Sequence, residues 1–171
     1  MTLGSRITAL RYKTAYNSLL WLNKNNKQTQ RYQEQGLNLL REKVESLPDK
    51  IAFRPKLLKQ SFCVKVFNQF YIFISKCNLT KPISERFDSL FHEVGHWLHF
   101  QNLPQKEDRK AIWSEIDNEK IKQDVSERAI QNNEGLEFVA EVFKGLVKGY
   151  KYDDYIMNYY KRLNGPKVKT K

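Results

Sequence analysis

The three histidines of this 171-residue chain fall within eight consecutive positions, Phe91-His92-Glu93-Val94-Gly95-His96-Trp97-Leu98-His99. Two of them frame the pattern His-Glu-x-x-His, by which one helix binds a zinc ion and sets a base beside it. An α-helix turns about 100° per residue, so His92 and His96 share a face one turn apart. Both imidazoles can then reach one metal at about 2.0–2.1 Å. Glu93 lies on the flank of that face, where it can take a proton from the metal's water without being a ligand. The plainer alternative is an amphipathic helix with two half-buried histidines. Against it stand the apolar flanks Leu90, Phe91, Trp97, Leu98 and Phe100, and a glycine inside a good helix-forming run. A glycine there costs about 1 kcal/mol, so Gly95 points to close packing.

A catalytic zinc site needs a third protein ligand. The candidates are His99, Glu134, Glu137 and Glu141. His92 and His99 are about 10 Å apart along a helix axis, too far to share one metal easily. His99 is therefore expected to support the site from behind or to pack in the core. Glu137 and Glu141 are one turn apart among Leu136, Phe138, Val139, Ala140, Val142 and Phe143. Acids set in an apolar helix need partners, and a metal and a ligating imidazole N–H would supply two. Glu137 is read as the third ligand to a single Zn2+, and Glu141 as the acceptor that orients His92.

The length fits one domain with its own core. The expected fold class is α+β, mostly helical, with a small β-hairpin beside the metal-binding helix. Helices are predicted at 5–24 and 29–46, forming a hairpin within an N-terminal region 1–50. The stretch 50–60 reads as a basic connector. Two strands, 61–67 and 70–76, turn at Asn68-Gln69, which sets Cys63 opposite Ile74 and leaves the two cysteines unbridged. Lys81-Pro82 precedes the site helix, expected from Glu85 to about Phe100 with Ser84 as its cap. A polar loop 101–110, a charged helical stretch 111–131, helices 134–148 and 150–163, and a disordered tail 165–171 complete the prediction. The catalytic core is placed at 61–148.

The net charge of +11 is unevenly spread. Residues 1–84 carry 15 Lys/Arg against 4 Asp/Glu, residues 85–141 carry 7 against 13, and residues 142–171 carry 8 against 2. The stretch with the metal motif is thus acidic, and the basic surface lies elsewhere. Such a surface suits an anionic partner, or simply solvates the protein. No run approaches the roughly 20 apolar residues of a membrane span, and no signal peptide is expected.

His92-Glu-Val-Gly-His followed by Glu137-Phe-Val-Ala-Glu141-Val-Phe resembles the protease domain of anthrax lethal factor and its relatives, the clostridial Pro-Pro endopeptidases among them. There a His-Glu-x-Gly-His helix is followed, after a similar gap, by Glu-Phe-Phe-Ala-Glu-Ala-Phe. The resemblance covers roughly residues 84–148. It implies a zincin-like zinc metallopeptidase, with His92, His96 and Glu137 as ligands, Glu93 as general base and Glu141 behind a ligand histidine. The substrate would be a protein or peptide, laid along the hairpin edge. Tyr71, Phe73 and Tyr150 are the side chains expected to meet it. One departure stands out. The family carries an oxyanion-stabilising tyrosine about seven residues before the ligand glutamate, where this chain has Ile130. Tyr150, Tyr152, Tyr71 or Arg128 could replace it through space. Two other readings remain: an intracellular peptidase of a mobile element that cuts a repressor, and a non-catalytic module of a phage or mobile element that uses its basic surface.

Overall fold

The computed structural model describes residues 3–24, 26–48, 51–55, 57–66, 69–131 and 134–169, with side chains from Thr8 onward. The chain order is α1 (Leu3–Asn23), α2 (Lys27–Arg41), β1 (Ala52–Arg54), β2 (Phe62–Val66), β3 (Gln69–Ser75), α3 (Ile83–Arg86), α4 (Asp88–His99), α5 (Lys106–Ser114), α6 (Asn118–Asp124), α7 (Leu136–Val147) and α8 (Asp154–Arg162). Two 3-10 turns, Lys76–Thr80 and Glu127–Ile130, join them. The result is a mostly helical α+β fold on one mixed sheet of order β1-β3-β2.

β2 and β3 pair antiparallel, with Cys63 opposite Ile72 and Val66 opposite Gln69. The expected turn falls partly on Asn68, which lies outside the described residues, but Gln69 itself is already in the ladder. The register is therefore shifted by two from the predicted one. Side chains alternate with period two, so this shift keeps every residue on its predicted face. The basic connector holds a strand that was not anticipated: β1 pairs parallel to β3, with Phe53 opposite Ile74. β3 is thereby central, and β2 is an edge.

The sheet separates two apolar clusters. Ala52, Tyr71 and Phe73 pack with Tyr16 of α1 on one face. Phe53, Ile72 and Ile74 pack with Tyr32 of α2 and with Leu90, Val94, Phe138, Val142 and Phe143 on the other. α1 and α2 thus cover opposite faces of the sheet and do not pack as the predicted hairpin. The helix expected from Glu85 breaks at Phe87, where φ is −99° and ψ 0°. The break has a partner: the Tyr32 hydroxyl donates to the Arg86 carbonyl at 2.8 Å. Ser84 caps nothing; Pro82 stands at the start of α3. The charged stretch after Lys106 is cut into α5, α6 and a 3-10 turn by Asp117 and Ser126, whose side chains accept from backbone N–H groups ahead of them. Residues 165–169 are held rather than disordered. Tyr160 donates to the Pro166 carbonyl at 2.6 Å, and the Lys169 N–H donates to the Lys43 carbonyl at 2.8 Å.

α4 and α7 are the closest-packed pair. A Cβ on Gly95 would lie 2.9 Å from Phe143 Cδ1 and 3.2 Å from the Ala140 Cα. Phe143 is fully buried and Ala140 Cα is backbone, so neither can yield. Gly95→Ala is expected to lower stability by about 1–2 kcal/mol, overpacking outweighing the better helix propensity. Because the two helices carry different members of the cluster described next, zinc affinity should fall with it. Thermal melting and zinc titration of the variant test this; an unchanged pair of values would refute the packing role.

Candidate metal centre

α4 presents His92 and His96 to the first turn of α7, where Glu137 stands. Gly135, with φ of 71°, makes the left-handed turn into α7. A carboxylate in a helix's first turn is favoured by the exposed N–H groups there. Glu137 straddles the two rings: Oε2 lies 3.2 Å from His92 Nε2, and Oε1 lies 3.2 Å from His96 Nε2. One donor atom from each of the three residues fits within a 4.8 Å set. Tetrahedral ligands at zinc–nitrogen and zinc–oxygen lengths are about 3.3 Å apart, so the observed spacing suits a shared ion.

The hydrogen bonding points the same way. His92 Nδ1 is 2.7 Å from Glu141 Oε1. Glu141 can only accept, so Nδ1 carries the proton, and neutral His92 then turns the lone pair of Nε2 toward Glu137. Two acceptors facing each other at 3.2 Å repel unless a cation or a proton lies between them. Among the described residues, six buried side-chain atoms lack any hydrogen-bond partner, and four are on α4: His92 Nε2, Glu93 Oε1, His96 Nδ1 and His99 Nδ1. Natural proteins leave few such atoms; His92 Nε2, facing Glu137, and Glu93 Oε1, near Arg128, are the two at the cluster and mark a site built for a ligand.

Glu141 is itself fully engaged. It accepts from the Ser126 hydroxyl at 2.8 Å and from Lys144 Nζ at 2.6 Å, besides His92. Burial pushes its carboxyl up, but His92 and Lys144 outweigh this and hold it at about 2. Glu137 is likewise buried in part, yet the two imidazoles keep it well below the usual carboxylate range. His92 is drawn down by burial but raised overall by the carboxylates of Glu137 and Glu141 beside it. Glu93 is 1% exposed, and burial raises its carboxyl. Arg128 enters from the 3-10 turn Glu127–Ile130: its Nε donates to Glu137 Oε2 at 3.0 Å, and Nη2 lies 3.6 Å from Glu93 Oε1.

The other acid candidate lies elsewhere. Glu134 pairs with Arg109 at 2.7 Å and with Lys106 at 3.1 Å. His99 hydrogen-bonds away from the ligands. It is fully buried, and its Nε2 lies 2.7 Å from the Leu163 carbonyl, tying α4 to the end of α8. Tyr71 and Phe73, expected to meet substrate, are buried against α1 on the face of the sheet turned away from α4. The physical reason is that α1 packs on β1 and β3 and covers that face of the sheet with Tyr16. Tyr150 is exposed but stands past the far end of α7, its N–H on the Gly145 carbonyl and Lys148 over its ring. It lines a groove of about 1240 Å³ with Lys43, Lys151, Lys161, Lys167 and Lys169, which contains none of the cluster residues. Ser126 and Lys144 were not anticipated. Lys144 was readable as an (i, i+3) partner of Glu141; Ser126 depends on a turn that no pattern announced.

His99 carries a pH signature. Burial lowers it from 6.5 to about 4, because protonation would leave Nδ1–H charged and unpartnered. Between those values the unfolded chain takes a proton that the folded one refuses. Stability contributed by neutral His99 is therefore full above pH 6.5 and lost as pH falls toward 4, by about 3 kcal/mol. His92 acts in the opposite sense, its raised value favouring the fold in acid. The expectation is read as a difference: chelator-treated wild type should lose more stability than His99→Gln across that window. Parallel curves would refute it.

These features define a class: a mostly helical α+β protein whose two closest-packed helices bring two imidazoles and a carboxylate to one point. Comparisons with protein-family profiles, curated proteins and solved structures find no match.

Proposed function

We propose that this chain is a zinc-dependent endopeptidase with a zincin-like fold, similar in its site to the lethal factor protease domain. The observation that carries the reading is the convergence of His92, His96 and Glu137, with the proton of His92 fixed on Nδ1 by Glu141. The donor set, two imidazoles and one carboxylate, is that of catalytic zinc sites. Zinc, when bound, supplies Lewis acidity, bringing the pKa of a water toward neutrality and polarising a carbonyl.

The chain's own residues do the rest. Glu93 is buried beside His92 with one oxygen unpartnered, so it can take the proton of the attacking water. The water's oxygen bonds to the amide carbon while the carbonyl π pair moves onto the carbonyl oxygen. The C–N bond then breaks, the pair returns, and Glu93 delivers its proton to the leaving nitrogen. Burial suits both steps, since a raised carboxyl holds a proton more readily near neutral pH. Glu141 keeps His92 oriented throughout.

The substrate class is protein or peptide. The free edge of β2 beside α4 would seat an extended segment by backbone hydrogen bonds. The anionic partner anticipated from the net charge would meet the lysine-lined groove. No described helix is long and apolar enough to cross a membrane. The test is a zinc titration followed by incubation with peptide libraries and mass spectrometry of the products. One zinc per chain with chelator-sensitive cleavage supports the reading. Zinc retention with no cleavage of any library leaves a binding module.

A further inference from the structure

Arg128 belongs to neither helix of the pair, yet it touches the carboxylates of both. Its Nε is committed to Glu137, and Nη2 stands at 3.6 Å from Glu93 without a hydrogen bond. Among the described residues no acceptor hydrogen-bonds its Nη groups, and Nη2 stands only in the longer ion pair with Glu93. Its side chain is 42% exposed, whereas those of His92, Glu93 and His96 are 7% or less. Glu137 is 14% exposed, so Arg128 is the most exposed side chain of the cluster and the one an incoming molecule meets first.

It is also held in place. The Ser126 hydroxyl accepts from the Ala129 N–H at 3.2 Å and so caps the turn that carries Arg128. The same hydroxyl donates to Glu141 Oε2 at 2.8 Å, and Ala129 is fully buried. The turn is thus anchored to the carboxylate that orients His92. A surface arginine that only offsets nearby acids would need no such anchoring.

We infer that Arg128 receives the carbonyl oxygen of the scissile amide, its Nη N–H groups, which no hydrogen bond occupies, donating to that oxygen as negative charge builds there. This rests on the peptidase reading above. The guanidinium neither gains nor loses a proton, because it stays charged at all working pH values. Its effect is electrostatic, placed where charge develops, and such a donor is typically worth 10²–10³-fold in rate. Glu137 supplies the anchor for Nε, which leaves the fork of Nη groups for the substrate.

The test compares zinc-loaded wild type with Arg128→Met and Arg128→Lys. Three quantities are read: zinc affinity by chelator competition, kcat and KM on the best-cleaved library peptide, and affinity for a phosphinic analogue of that peptide. The analogue places a charged oxygen where the carbonyl oxygen would be. Arg128→Met should lower kcat by about 10²–10³-fold, leave KM nearly unchanged, and weaken the analogue by a similar factor. Zinc affinity should hold or rise, since a cation competing for Glu137 is gone. Arg128→Lys should restore part of the loss. Unchanged analogue binding overturns the inference, as does a loss of zinc affinity large enough to explain the lost activity, which would make Arg128 a brace for Glu137. Both results leave the peptidase reading standing. A wild type that binds zinc and cleaves nothing overturns the two together.

Discussion

Replacing Glu93 with glutamine is expected to leave one zinc bound per chain while cutting peptide hydrolysis by about 10³-fold or more. Glutamine has the same shape and cannot accept the proton. Positioned acid–base groups contribute about 10²–10⁴-fold, and Glu93 both takes and returns a proton. It is not among the three residues whose donor atoms converge, so metal binding should survive. Stability should respond as well. Burial raises the Glu93 carboxyl, so the folded state disfavours its ionised form, and at neutral pH the charged side chain costs stability relative to the unfolded chain. Glu93→Gln removes that cost, and the metal-free variant should melt above the metal-free wild type at pH 7. Below the ordinary carboxylate range the two should converge. Zinc content, product analysis and melting with chelator present decide the matter. Cleavage at the wild-type rate by Glu93→Gln would end the proposed mechanism, and loss of zinc would make Glu93 a ligand instead.

The placement of the site was legible because it depends on local periodicity. His92 and His96 share a face by helix geometry alone, and Glu137 and Glu141 are acids in a run too apolar to be a surface helix. Gly95 was legible as a point of close approach, although its partner Phe143 was not. What escaped depends on contacts distant in sequence. β1 is three residues long in a basic stretch and exists because Phe53 and Ile74 meet in a parallel ladder. α1 packs across β1 and β3, and its Tyr16 turns Tyr71 and Phe73 from expected substrate contacts into a buried cluster. His99 has helical spacing compatible with support of the metal site, but Leu163, sixty-four residues on, claims its ring. Residues 106–130 carry too few apolar positions for periodicity to locate breaks, which are set instead by Asp117 and Ser126 as caps. The sequence signal at Ser126 is one short polar side chain, and its meaning appears only when the turn folds back on Glu141.

Zinc is expected to raise the melting temperature of the wild type by about 5–10 °C when free metal is a hundredfold above Kd. A ligand at that excess adds about 2.7 kcal/mol, and a domain of this size gains about 2–4 °C per kcal/mol. Glu137→Ala should abolish the shift, since two imidazoles alone leave the charge of the ion unopposed. The variant should also lower the metal-free melting temperature. His92 and His96 hold the Glu137 carboxyl low, so its ionised form stabilises the fold above the ordinary carboxylate range, and this is lost as pH falls through the folded value. The zinc-induced shift, not the absolute temperature, is therefore the quantity to compare. Glu134→Ala is the control, because Glu134 is paired with Arg109 and Lys106 and should keep the whole shift. Glu141→Ala should fall between, its loss freeing His92 to rotate and weakening zinc by about 10–100-fold. If Glu134→Ala loses the shift and Glu137→Ala retains it, the third ligand comes from the other acid. The fork of Glu137 across the two imidazoles would then be held by protons on the rings rather than by a shared cation.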